Sequence, residues 1–372
     1  MPVAYTPGLR VSASTTLRQT RRLPMRGEVL VRAGDLVSAD QVVARAQRPG
    51  NAQVVRAAQA LHLEPNELQA HLVKRPGETV QAGEVIARTQ GLWGLLKNEV
   101  RSPVAGVVEE VSPTTGYIRL REPPTIIELR AHVAGRVVQV IGGEGAVIEA
   151  RGALVQGIFG VGGERRGRLR RAVEGPDQPL PASAISDCRG CVLIAGSGAD
   201  GEAISRAAEA GAAGLVVGAV SDEALGRYVG YDIGVAITGQ EAIPMTLIVT
   251  EGFGELPMAL RTWDLLVSLE GELASINGAT QIRAGVIRPE IIVTREAAAA
   301  GEAEAAPEQV LVVGSAVRVI RDPHFGALGR VVALPPELTE IETESRVRIA
   351  LVKLERGDEV RVPRANLELI QE

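Results

Sequence analysis

Residues 31–45 read VRAGDLVSADQVVAR and residues 74–88 read KRPGETVQAGEVIAR; the two stretches align without a gap and share seven of fifteen positions. One structural unit therefore occurs twice. In each copy a glycine (Gly34, Gly77) precedes an acidic residue, a valine (Val37, Val80) follows, and a second turn (Ala39-Asp40, Ala82-Gly83) leads into Val-Val-Ala or Val-Ile-Ala. Glycine permits positive φ, and β-branched residues pack well on a pleated surface, so the pattern predicts short strands joined by tight turns.

A second repeat lies further along the chain. Residues 104–120 (VAGVVEEVSPTTGYIRL) align with residues 133–149 (VAGRVVQVIGGEGAVIE), sharing Val, Ala, Gly, Val, Val and Gly in register. The intervening residues 52–72 have a 3.6-residue apolar rhythm that predicts a helix interrupted near Pro65.

Together, residues 24–150 resemble the barrel-sandwich hybrid of biotinyl and lipoyl carrier domains. The stretches that carry the resemblance are residues 77–87 and Ser102-Pro103-Val104-Ala105-Gly106-Val107-Val108. The resemblance implies the fold more than the function, because the same barrel occurs without a cofactor in polymerase insertions, transport adaptors and electron-transfer subunits. A carrier domain acylates a lysine at its hairpin tip. Lys97, the only candidate, sits in GLWGLLKNE and lacks both the Met-Lys-Met and the Asp-Lys-Ala setting. An unmodified lysine and no cofactor are expected.

The whole chain has 372 residues, more than one core supports, so several modules are expected. A net charge of -5 gives no general attraction to nucleic acid or anionic lipid, and a 2% aromatic content leaves few rings for stacking on bases. No apolar run reaches the ~18 residues of a membrane span and no secretion signal is recognisable. With only Cys188 and Cys191, a disulfide framework is excluded and a cytoplasmic location is expected.

Residues 157–163 (GIFGVGG) run into ERRGRLRR at 164–171. Arg165, Arg166, Arg168, Arg170 and Arg171 could hold phosphates bidentately. No helix start follows the glycines, however, and alternation of Arg with apolar residues is expected of a solvated hairpin.

From Cys191 the pattern is strand, then Gly196-Ser197-Gly198-Ala199-Asp200-Gly201, then helix and strand. Gly196, Gly198 and Gly201 have the spacing of a dinucleotide-binding loop. The following AAEAGAAGLVV (residues 207–217) also resembles the helix-to-strand turn of swivelling β/β/α and protease-associated domains. Both readings stand, and the swivelling one is the expectation, because a lone glycine fingerprint is a weak signal. No histidine lies between His132 and His324, which removes Ser-His-Asp chemistry and a His-ligated metal from this region. Cys188-Arg189-Gly190-Cys191 precedes a strand instead of opening a helix, so a plain pair of reduced cysteines is expected.

Residues 295–309 are an Ala/Glu/Gly tether. Beyond it, residues 314–332 (GSAVRVIRDPHFGALGRVV) resemble the KOW motif of elongation factors and ribosomal proteins. In that family the SH3-like barrel binds RNA, ribosomes, polymerase or proteins, which makes Arg318 and Arg330 candidate contacts. The acidic loop at 335–344 argues for protein over RNA.

The expectation is thus a mainly β chain with a small α/β domain: an extension (1–23), a barrel-sandwich hybrid region (24–175), a swivelling or Rossmann-like domain (176–294), a linker (295–309) and a KOW barrel (310–372). Its expected role is a non-catalytic adaptor, scaffold or assembly subunit that binds partner proteins or itself. The alternatives are a dinucleotide-binding protein and an RNA-, ribosome- or polymerase-associated protein.

Overall fold

A computed structural model describes residues 9–89, 98–230, 243–280, 287–294, 311–319, 324, 327–340, 346–354 and 357–369, and these are mainly β. The chain opens with β1 (Val11–Arg22), β2 (Glu28–Val29), β3 (Leu36–Val37) and β4 (Val42–Arg48). It then leaves for an inner module of β5 (Ala52–Val55), α1 (Ala57–Leu61), β6 (Thr79–Val80), β7 (Val85–Arg88), β8 (Glu99–Arg101), β9 (Gly106–Val111) and β10 (Ile118–Arg121). β11 (Thr125–Arg130), β12 (Gly135–Ile141) and β13 (Gly145–Gln156) return to complete the outer module.

The two repeats are nested. β3 pairs with β12 through Leu36–Arg136 and Val37–Gly135, and β6 pairs with β9 through Thr79–Val107 and Val80–Gly106. Under the sequence alignments these four pairs are equivalent two by two. Gly34 and Gly77 both adopt positive φ (96° and 93°), and their N–H groups donate to Val137 O and Val108 O at 2.7 and 2.8 Å. Each module buries its own core: Val31, Val43, Val137 and Ile148 in the outer one, Leu68, Ile86, Val108 and Leu120 in the inner one. β4 and β11 pair to form the arm that joins them, with β2 on the other edge of β4.

Residues 52–72 depart from the predicted helix. Ala52–Val55 is a strand paired with β10, because Val54 and Val55 gain a partner there that a helix would not supply. The helix is confined to α1, stopped by His62 in the left-handed region, and a capped 3-10 turn follows at Pro65–His71.

β13 also enters an eleven-stranded sheet, with β14 (Phe159–Val161), β15 (Glu164–Arg171), β17 (Cys191–Ile194), β19 (Gly214–Val220), β20 (Thr246–Phe253), β21 (Leu273–Asn277) and β22 (Glu290–Thr294). Two further short strands, β16 (Pro179–Leu180) and β18 (Gly198–Ala199), pair with each other. The sheet order is β14, β20, β19, β17, β15, β21, β22, β13, β12, β3, with β1 on β13. It runs without a break across residue 175, and β1 belongs to it although the sequence places residues 1–23 outside any module.

Neighbours from β15 to β20 are parallel, and β19 is buried along its whole length, as a strand covered on both faces must be. α2 (Gly201–Glu209) and α3 (Asp222–Val229) pack on each other, while α4 (Leu260–Ser268) lies against β1 and β15. Trp263 is buried from α4.

The C-terminal module, β23 (Ala316–Val319), β24 (Leu328–Ala333), β25 (Leu338–Glu340), β26 (Arg346–Leu354), β27 (Glu359–Pro363) and β28 (Leu367–Leu369), closes on Val317, Val331, Val352 and Leu367. Among the described residues, no helix is long and apolar enough to cross a membrane.

Candidate functional site

The arginines of 165–171 do not lie on a hairpin. β15 is an interior strand of the sheet, paired with β17 on one edge and β21 on the other, with Gly167 and Leu169 buried on one face and Arg168 and Arg171 exposed. The guanidinium groups are turned onto the chain itself. Arg165 donates to Ile243 O, Arg166 pairs with Asp40, Arg168 donates to Gly271 O (2.8 Å), Arg170 to Asp187 O (2.6 Å), and Arg171 pairs with Glu174 (3.3 Å). They do not converge on one phosphate-sized locus.

The start of β15 builds a different site, one for which the sequence reading named no residue but Arg166. Glu164, Asn277 and Glu290 are direct cross-strand neighbours on β15, β21 and β22. From β1, Arg21 clasps Glu164 with both Nη atoms and donates Nε to Arg130 O (2.9 Å), while Gln19 donates to Glu290 Oε1 (2.7 Å). His132, in the turn before β12, places Nδ1 3.8 Å from Glu164 Oε2, and Ser275 donates to its carbonyl. A cleft of about 480 Å3 opens beside these groups, lined by Thr20, Arg21, Arg22, Leu129, Gly163, Glu164 and Asn277.

The environment separates the titratable groups. Burial lowers the His132 pKa to about 4 against the pull of Glu164, so at neutral pH the imidazole is uncharged and its contact with Glu164 is not an ion pair. Burial works to raise the Glu164 pKa, but the Arg21 hydrogen bond and neighbouring charges hold it below its ordinary value. Burial raises Glu290, assisted by the charge of Glu164 and opposed by the Gln19 hydrogen bond. His132 Nε2 and Arg166 Nε are buried without a hydrogen-bond partner among the described residues.

The glycine loop is engaged internally. The Ser197 N–H donates to Gln178 O (3.0 Å), Gly198-Ala199 pairs with Pro179-Leu180, and the Asp200 carboxylate caps α2 by accepting from Ala203 N–H (2.7 Å). A Cβ on Gly196 would stand 2.4 Å from Gly175 O, so that glycine is explained by chain crossing. Gly201 faces Arg227 of α3, at 3.0 Å from an added Cβ. An acidic cap on the helix opposes the anion that a dinucleotide loop receives.

Cys188 is buried and its thiol lies 3.8 Å from Ala207 O, with burial pushing its pKa up; Cys191 is half-buried and its N–H closes a turn onto Cys188 O (2.9 Å). Neither opens a helix. Among the described residues no group of three His, Cys, Asp or Glu side chains could hold a metal.

In the C-terminal module Arg318 is not a surface contact. It pairs with Glu251 of β20, its Nη1 lies 3.8 Å from Glu368, and Arg288 reaches the same Glu368 at 2.9 Å. These charges hold the module against the sheet. Arg330 is exposed and donates to Gly314 O (3.2 Å). Lys97 lies outside the described residues. No family model matches the chain, and no curated protein matches it in sequence.

Proposed function

We propose that the chain is a non-catalytic adaptor that presents β modules to partner proteins in the cytoplasm, with the nested pair read as lipoyl-like barrel-sandwich hybrids, the parallel sheet as swivelling-type and the C-terminal sheet as a KOW-type barrel. The observation that carries this reading is fixed spacing. The inner module is held out on the β4–β11 arm, and the C-terminal module is held against β20 by the buried charges of Arg318, Glu251 and Glu368. An adaptor needs rigidly placed surfaces, and buried, mutually paired charges specify one relative placement. The equivalent pairing of β3–β12 and β6–β9 supports the barrel reading, and two free cysteines support a reducing compartment.

Nucleic-acid binding is expected to be weak, because the arginines of β15 are engaged by the chain itself and Arg318 is buried. The experiment is a quantitative native pull-down with the full-length chain as bait, read alongside turnover assays on cofactor-coupled substrates. A stoichiometric protein partner is the expected result. Turnover above roughly 1 per second would overturn it.

A further inference from the structure

Cys188-Arg189-Gly190-Cys191 forms a closed turn ahead of β17. The Cys191 N–H donates to Cys188 O at 2.9 Å, and Gly190, the third residue, takes φ 68°. A positive φ at that place defines a type II turn and calls for glycine. Such a hydrogen-bonded turn holds its first and fourth Cα atoms within about 7 Å, inside the span that a disulfide can bridge. Two further bonds fix it on the α2–β19 connection: the Gly190 N–H donates to Gly211 O and the Ala213 N–H to Cys191 O, each at 2.8 Å.

The two thiols share one side of the sheet. Partners in the parallel ladder of β15 and β17 present their side chains to the same face, and there Cys191 pairs with Arg168 and Leu193 with Arg170. Cys191 is therefore on the face of Arg168 and Arg170. Arg170 Nη1 donates to Asp187 O at 2.6 Å, which sets its guanidinium beside the turn, where its charge acts on the Cys188 thiol. The charge of Cys191 acts on the same thiol, so the two sulfur groups are close enough to influence each other.

Access separates the pair. Cys188 is 1% exposed, with Sγ 3.8 Å from Ala207 O, whereas Cys191 is half-buried, so a reagent from solution reaches Cys191 first. Burial raises the Cys188 pKa and the Arg170 charge opposes it, the part that a helix N-terminus plays where a Cys-x-x-Cys motif opens a helix. Turning Cys188 Sγ towards Cys191 leaves no orphan behind, because Ala207 O keeps the Ala212 N–H at 3.0 Å. Zinc is the rival use of two thiolates, but two leave it half-coordinated, and among the described residues no His, Cys, Asp or Glu completes a site with them.

We propose that Cys188 and Cys191 are a redox-active pair that closes into a disulfide by exchange with a small-molecule disulfide of the glutathione class. The Cys191 thiolate attacks one sulfur of that oxidant, forming a mixed disulfide and releasing one thiolate. The Cys188 thiolate then attacks the Cys191 sulfur, forming the Cys188–Cys191 bond and expelling the second thiolate. Two protein thiols are oxidised, one disulfide is reduced to two thiols, and the protons lost by the cysteines end on the released sulfurs. The dithiol is the resting form where thiols are kept reduced, and closure answers a rise in oxidant. This goes beyond the adaptor reading and does not depend on it.

The test equilibrates the full-length protein with oxidised and reduced glutathione at ratios from fully reducing to fully oxidising. Free thiols are trapped by alkylation after an acid quench, and intact mass and peptide maps are read. The expected product is lighter by two hydrogens, carries no glutathione, yields Cys188 and Cys191 in linked peptides and reverts with dithiothreitol. Cys188→Ser should instead accumulate glutathione on Cys191, and Cys191→Ser should take up little, since Cys188 is covered. Arg170→Gln should lengthen the life of the mixed disulfide, because the attacking Cys188 thiolate loses its nearby charge. Measurements on the unaltered protein decide the matter should a variant fail to fold. A lasting glutathione adduct on the unaltered protein, a disulfide between two chains, or both thiols still open to alkylation at the most oxidising ratio would each overturn the proposal. Equal glutathione uptake by the two serine variants would overturn the assigned order of attack and the proposal with it.

Discussion

His132 and Pro103 occupy equivalent places in the two nested copies, AHVAG against SPVAG, and only His132 takes a left-handed backbone, at φ 69°. Proline cannot adopt that angle. The outer copy has therefore diverged at the turn that packs on the sheet, where the His132 N–H donates to Ala39 O and its carbonyl accepts from Ser275. Restoring the inner copy's residue, His132→Pro, should destabilise by about 3 kcal/mol or more. His132→Asn, which tolerates the left-handed region, should cost much less. Urea unfolding of both variants checks the difference.

The same residue makes stability depend on pH. Its folded pKa of about 4 lies below the ordinary value of 6.5, so between those values the unfolded chain binds more protons than the folded one. Stability then falls as pH drops through that window, by about 3 kcal/mol at the limit. Unfolding free energies from pH 7 to pH 4 should show a shallower slope in His132→Asn; identical slopes would remove His132 from the account.

Glu290 acts in the opposite sense. Burial raises its pKa, so at neutral pH the fold carries a disfavoured carboxylate held by Gln19. Glu290→Gln keeps an acceptor for Gln19 and removes the charge. A higher Tm is expected at pH 7, with the gain fading as pH falls through the carboxylate range, as read by calorimetry at both ends.

Removing one member of the buried charge set at the C-terminal module should be severe. Arg318→Ala leaves Glu251 and Glu368 buried with reduced compensation, a change that costs about 3–5 kcal/mol in comparable settings. Because the loss falls on the contact between modules, the expected signature is a separate, lower calorimetric transition for residues 311–369, with faster proteolysis there. A single unchanged transition would show that the contact contributes little.

The glycine loop gives a paired outcome. Gly196→Ala meets backbone oxygens of Gly175 and Gln178 at 2.4 and 2.5 Å and should destabilise the chain. NAD, NADP and FAD should leave the Tm of the unaltered protein unchanged. A bound ligand at about 100 times its Kd would add about 2.7 kcal/mol, which a thermal shift would register.

The repeats were legible because they rest on local demands: Gly34 and Gly77 meet the same positive φ, and the valines after them fill equivalent core positions. Their nesting was not legible. Alignment shows that residues 31–45 match 74–88, but whether they pair with 104–120 or 133–149 depends on contacts between distant strands. The arginines of β15 misled for a related reason. Alternation reports a strand with one polar face and says nothing of what packs on it, and here that face meets Asp40, Gly271 and Asp187 from far along the chain.

The sequence by itself determined the mainly β character, the turn glycines and the helices of the middle region, all of which follow from residue type and short-range spacing. Only the tertiary structure decided the site at Glu164, Asn277 and Glu290 and the neutrality of His132. Those properties depend on contacts such as Glu164 with Asn277 and Arg21 with Glu164, between strands separated by more than a hundred residues, and on the burial they impose. No local pattern encodes either one.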